Sequence, residues 1–243
     1  MTESGRAVEE RDSAVVVRMQ QLVHRWEDAS DRRAIFLTCY MMMTENMQSA
    51  IERQEFRDCE WVDRLLNHFA GYYFVALAAY DRDPSSAPLV WQLAHEAARD
   101  GDSMALQQLM LGVNAHINYD LVFALADVLG PEWDGLSEEQ RRIRYADFCF
   151  VNDIIGRTID AVQDQVLEPA MPVMELVDRL FGSLDERLIS RIITDWRESV
   201  WEHAARLLET ADADERARLA LQVEEEALRR GDVIGLRRHH KHS

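Results

Sequence analysis

Apolar residues recur at spacings of three and four along most of the chain, the period of helices buried on one face, and no segment is read as a strand. The pattern predicts helices over 13–28, 31–52, 60–80, 88–99, 103–129, 138–167, 172–181, 183–209 and 213–230. Several ends carry their own signals. Ser30 or Asp31 is placed to cap the second helix and Ser103 the fifth, which stops at Gly130-Pro131. Capping boxes are expected at Ser137 with Gln140 and at Ser183 with Glu186. The last helix should bury a seam of Ala217, Leu221 and Leu228.

The fifth helix stands apart. Leu106, Met110, Val113, Ile117, Leu121 and Ala124 form one stripe, and Leu111, Ala115 and Val122 lie nearly opposite, so it is apolar almost all round. It should be the central, buried helix. Yet its middle reads GVNAHINYDL and carries Asn114, His116, Asn118 and Asp120. Spacing of four puts His116 with Asp120 on one flank of the stripe and Asn114 with Asn118 on the other. An unpartnered buried polar group costs ~1–3 kcal/mol, so neighbouring helices must meet these side chains.

This motif, with FLTCYMMMT at 36–44, DFCFVN at 147–152 and WRESVW at 196–201, resembles a bacterial helical family known only as a domain of unknown function. The resemblance covers most of residues 20–208 and implies an all-helical fold in which the polar positions matter; it supplies no activity. The expected architecture is all-α: one domain over 13–230, a bundle of eight or nine helices around the 103–129 helix. A flexible N-terminus over 1–12 and a basic, His-rich tail over 231–243, ending RRHHKHS, flank it.

Composition narrows the classes of function. A chain of 243 residues buries roughly three quarters of its unfolded surface without needing staples. Cys39, Cys59 and Cys149 are far apart and read as reduced, mostly buried thiols. Forty-four acidic against 27 basic residues give a net charge of −17, which disfavours nucleic acid as a partner. The charged opening MTESGRAVEERD lacks the core of a signal peptide, and no apolar run was expected to span a bilayer, so a cytoplasmic protein is expected.

Candidate partners for the central motif come from other helices: His68 in the third, Asn152 and Asp153 in the sixth, Arg197 in the eighth. In one reading His116, Asp120, His68 and Asp153 hold a divalent metal, zinc, iron, manganese or magnesium. In a second, residues 152–160 are similar to the magnesium motif of class I terpene synthases, with Gly156 replacing the hydroxyl ligand and Asp160 the final glutamate. That similarity implies a cyclase acting on an isoprenoid. In a third, no metal is needed: His116, oriented by Asp120, is a general acid or base, and Asn114, Asn118, Asn152 and Arg197 serve the same catalytic pocket. A noncatalytic module binding a ligand or a protein is the alternative. A scaffold has little reason to bury four polar groups, so the sequence favours an enzyme acting on a small, largely apolar molecule, with a biosynthetic pathway as the expected setting.

Overall fold

A computed structural model describes residues 3–165 and 186–235, with side chains described over 14–158 and 188–235. In chain order the helices are α1 Glu3–Asp28, α2 Ala34–Glu52, α3 Cys59–Arg82, α4 Leu89–Arg99, α5 Ala105–Ala115, α6 Leu121–Leu129, α7 Glu138–Gln165, α8 Glu186–Glu209 and α9 Ala213–Gly235. A π-helical turn, His116–Asp120, joins α5 to α6, so that Ala105–Leu129 is one continuous helix. No strand occurs among the described residues, and the all-α bundle expected from the sequence is the fold. The expected 172–181 helix, the Ser183 cap and the end of the basic tail lie outside the described residues.

Local chemistry fixes the helix ends. Asp58 caps α3 by accepting from the Trp61 amide at 2.9 Å. The box before α7 forms as expected, the Ser137 amide donating to Gln140 Oε1 at 2.9 Å and the Gln140 amide to Ser137 Oγ at 3.2 Å. Two expectations are corrected. Ser30 closes α1 instead of opening α2: it takes a φ of 54°, and the Asp31 amide reaches back to the Trp26 carbonyl. Ser103 does not cap α5, because its hydroxyl is buried without a partner while its carbonyl accepts from Arg32 and Gln108. α1 also starts earlier, and α9 ends later, than their apolar periods predict.

The central helix packs against α2, α4 and α9 through α5 and against α3 and α8 through α6. It divides the core into two apolar clusters, and Ile117 and Tyr119 of the π-turn pack against both. Gly112 permits the closest approach: a Cβ there would lie 2.6 Å from ring atoms of Phe36 on α2. Ala105–Leu129 is long and apolar enough to cross a membrane, contrary to the expectation that no such run exists. In the fold, 67% of its most apolar window is buried inside the protein, as in a core helix. On α9 the buried face is Leu219, Val223, Ala227 and Gly231; Ala217 and Leu221, expected in the seam, are exposed.

Candidate functional site

The π-turn sets the geometry. Its Leu121 amide bonds the His116 carbonyl five residues back, so one extra residue enters the turn that carries His116 and Asp120. His116 Nδ1 lies 3.0 Å from Asp120 Oδ2. Trp91 of α4 supplies the other partner, its Nε1–H donating to both carboxyl oxygens at 3.0 and 3.2 Å. The Phe69 ring of α3 stacks on the imidazole with centroids 3.6 Å apart and planes 8° apart. Tyr40 meets it edge-on at 4.3 Å. Phe36, Tyr73 and Trp91 complete an aromatic surround, and only 3% of His116 is exposed.

Burial governs the proton inventory. It pushes the Asp120 carboxyl well above its ordinary range, with the Trp91 hydrogen bond opposing, and holds the His116 imidazole well below its own. Burial thus disfavours the charged form of each group. A carboxylate beside a neutral imidazole would leave a net charge in a low-dielectric interior with only the Trp91 N–H to offset it. In the net-neutral pair one proton sits between Asp120 Oδ2 and His116 Nδ1, and the other is on Nε2. That Nε2 has no hydrogen-bond partner among the described residues.

His116 lines a cavity of about 190 Å³ between α2, α3, the central helix, α7 and α8. Met43, Met47, Leu65, Leu66, Val151 and Ile193 typify the lining, and Met110, Val113, Ile117 and Leu121 of the expected central stripe form one side of it. Two more lining groups are buried with no hydrogen bond: the Tyr40 hydroxyl and Trp61 Nε1. Arg197 of α8 also lines it, 5% exposed. Arg197 Nε donates to Asn152 Oδ1 at 2.8 Å and Nη2 to the Phe148 carbonyl at 2.6 Å, with the guanidinium 4.2 Å above the Phe148 ring. Neither acceptor is charged, and burial pushes the Arg197 pKa down to about 10.

The opposite flank faces α9. Asn118 Nδ2 donates to Asn114 Oδ1 at 3.0 Å, and Asn114 Nδ2 to the Ala227 carbonyl at 2.9 Å. Neither asparagine lines the cavity, which corrects their assignment to the catalytic set. Asn152 reaches the site only through Arg197. The metal set is not assembled. His68 is exposed, with Nε2 2.9 Å from Asp127 Oδ2, to which Tyr72 also donates at 2.7 Å. Asp153 is exposed on α7, and no group of three or more His, Cys, Asp or Glu side chains among the described residues could hold a metal ion. With Asp153 exposed and Asn152 bound to Arg197, the magnesium motif does not gather over the cavity either; the Asp160 side chain lies outside the described residues.

Sequence reasoning missed Trp91, which holds Asp120, and singled out none of Tyr40, Trp61 and Phe69, which line the cavity. Their periodicity is that of core residues, and no local signal separates a ring that packs from one that lines a cavity. The three cysteines are free and half-buried; Cys39 lines the cavity, and burial pushes its thiol up to about 12, which leaves it a poor nucleophile.

The chain belongs to a family of unknown function, DUF5995, whose model matches residues 13–236. No curated protein and no solved structure matches it.

Proposed function

We propose that the protein is a small-molecule enzyme that takes a small, largely apolar molecule into the cavity and exchanges a proton with it at His116. The observation that carries this reading is the unpartnered Nε2–H of His116, buried and lining an apolar cavity while Asp120 and Trp91 hold the other side of the ring. A packed core leaves neither such a volume nor such a donor without a reason. An engineered apolar cavity of about 150 Å³ accommodates benzene, so this one suits a molecule of roughly ten non-hydrogen atoms.

The chemistry follows from the proton inventory. With the pair neutral, His116 Nε2 donates: it can polarise or protonate a substrate oxygen or nitrogen, and the proton between Nδ1 and Asp120 then stabilises the ring left behind. Phe69 and Tyr40 keep water from the ring, which strengthens that hydrogen bond. The placements of His68 and Asp153 do not support the metal-dependent alternative.

Paired neutral probes test the reading. Acetophenone, which carries an acceptor, should bind more tightly than ethylbenzene, which has its shape without one, and should raise the melting temperature further. His116→Phe keeps a ring against Phe69 and should erase the difference. Failure of either probe to bind, or equal binding to wild type, would overturn the proposal.

A further inference from the structure

Among the described residues that line the cavity, every buried polar side-chain atom left without a partner is able to donate. Trp61 Nε1 can only donate, His116 Nε2 carries a proton in the neutral pair, and the Tyr40 hydroxyl is free to turn its hydrogen inward. No orphaned acceptor lines the cavity among the described residues: the remaining buried, unpartnered side-chain atoms, such as Gln108 Oε1 and Asn118 Oδ1, belong to residues outside its wall. Arg197 adds a buried cation whose hydrogen-bond acceptors among the described residues are the uncharged Asn152 Oδ1 and Phe148 carbonyl, with no carboxylate. Asp147, the one lining carboxylate, is committed elsewhere, its oxygens accepting the amides of Arg57 at 2.9 Å and Asp58 at 2.8 Å. The Thr158 hydroxyl is likewise spent on the Ile154 carbonyl at 2.7 Å.

A wall of donors around one uncompensated positive charge calls for a head group that only accepts and carries one negative charge. A phosphate or sulfate monoester would bring more oxygens, and a dianion would be left half-neutralised, since Arg197 is the one Lys or Arg among the described lining residues. The Thr44 hydroxyl is spent on the Tyr40 carbonyl at 2.8 Å, and the other described lining side chains are hydrocarbon, aromatic ring or sulfur. We infer that the ligand of this cavity is a small apolar monocarboxylic acid, bound as its anion with the carboxylate turned to Arg197 and the hydrocarbon body along the Met43, Leu65 and Val113 walls. This rests on the proposal that the cavity is a ligand site and specifies which chemical class enters it.

Binding of octanoate and octan-1-ol, equal in chain and different in head group, decides the matter by calorimetry at pH 8. Octanoate should bind roughly tenfold or more tightly than the alcohol, the ratio a charge-assisted hydrogen-bonded pair supplies. Arg197→Gln should bring the two to parity, and Ile193→Trp, which fills the cavity one turn from Arg197, should abolish both. If Arg197→Gln does not fold, carbon NMR of carboxyl-labelled octanoate on the wild type replaces it: the bound acid should titrate below its free value, and titration at or above that value overturns the inference. Equal binding of acid and alcohol, both blocked by Ile193→Trp, sinks the carboxylate but leaves the ligand site. Octanoate binding that survives Ile193→Trp places the acid elsewhere and also overturns it. If neither chain binds, both proposals fall.

Discussion

The two flanks of the central helix hold polar pairs of the same spacing and nearly the same burial, and they end differently. Asn114 and Asn118 are 2% and 3% exposed, His116 and Asp120 3% and 1%. On the asparagine flank the chain of hydrogen bonds runs outward and closes on a backbone carbonyl of α9. On the histidine flank it starts at Trp91, passes through Asp120 and His116, and stops at Nε2, which has no partner among the described residues, on a ring that lines the cavity. Burial of a polar group therefore does not mark a site. Each flank leaves one buried atom unmet among the described residues, Asn118 Oδ1 on one and His116 Nε2 on the other; what distinguishes the two is that His116 lines the 190 Å³ cavity and Asn118 does not, because α9 packs on the asparagine side while α2 and α3 bring aromatic rings to the other.

Replacing one residue on each flank should separate stability from function. Asn114→Leu removes both bonds and orphans the Asn118 amide, so it should cost roughly 2–4 kcal/mol in denaturant unfolding, while the fraction that folds still binds cavity probes. His116→Phe should cost less and lose the preference for acceptor-bearing probes. Equal stability losses with unchanged probe binding would show that the two flanks do the same structural job.

Asp120→Asn sharpens the contrast through pH. Asparagine copies the protonated carboxyl, accepting from Trp91 and donating to His116 Nδ1, so the fold should tolerate it. A carboxyl whose folded pKa is raised contributes stability that is complete below the unfolded value near 3.8 and is lost as pH rises towards the folded one. Wild type should therefore lose ground to Asp120→Asn by about 1.4 kcal/mol per pH unit above pH 4, until Asp120 ionises in the folded state. The depressed His116 pKa acts in the opposite sense: its contribution is present above 6.5 and lost as pH falls. The two cancel between about 3.8 and 6.5 in wild type, where folded and unfolded pairs each hold one proton, and the Asp120 loss shows in full above 6.5. A difference between the two proteins that does not change with pH would mean that Asp120 is ionised in the fold.

Much of this arrangement was legible in the chain because helical period and spacing are local. The central helix, its flanks and the Ser137 box follow from residues within a few positions of one another. The His68 error has a tertiary origin: His68 falls in the apolar period of α3, but Asp127 and Tyr72 hold it at the surface. The π-turn that carries His116 and Asp120 has no composition signal in GVNAHINYDL. The cavity was illegible for a deeper reason. It is a volume left between five helical elements, and Met43 or Val151 looks the same in sequence whether it faces a neighbour or a void.

The glycines on the two sides give the smaller tests. At Gly112 an added Cβ would lie 2.6 Å from two ring atoms of Phe36 and 3.0 Å from its Cβ, and Phe36 cannot retreat because Tyr40, Tyr73, Trp91 and His116 surround its ring. Gly112→Ala should therefore destabilise by about 1–3 kcal/mol, and by shifting Phe36, a lining residue, it should also weaken probe binding. Gly231 on the asparagine side is different. Its added Cβ would meet Leu93 Cδ2 at 2.7 Å, the far end of a half-buried side chain that can turn away, and Asn114 Nδ2 at an ordinary 3.5 Å. Within α9 alanine is also favoured over glycine by about 1 kcal/mol, which offsets the crowding. Gly231→Ala should leave melting nearly unchanged and probe binding untouched. A loss as large as that of Gly112→Ala would mean that α9 seats on the asparagine flank as rigidly as Phe36 seats on the other.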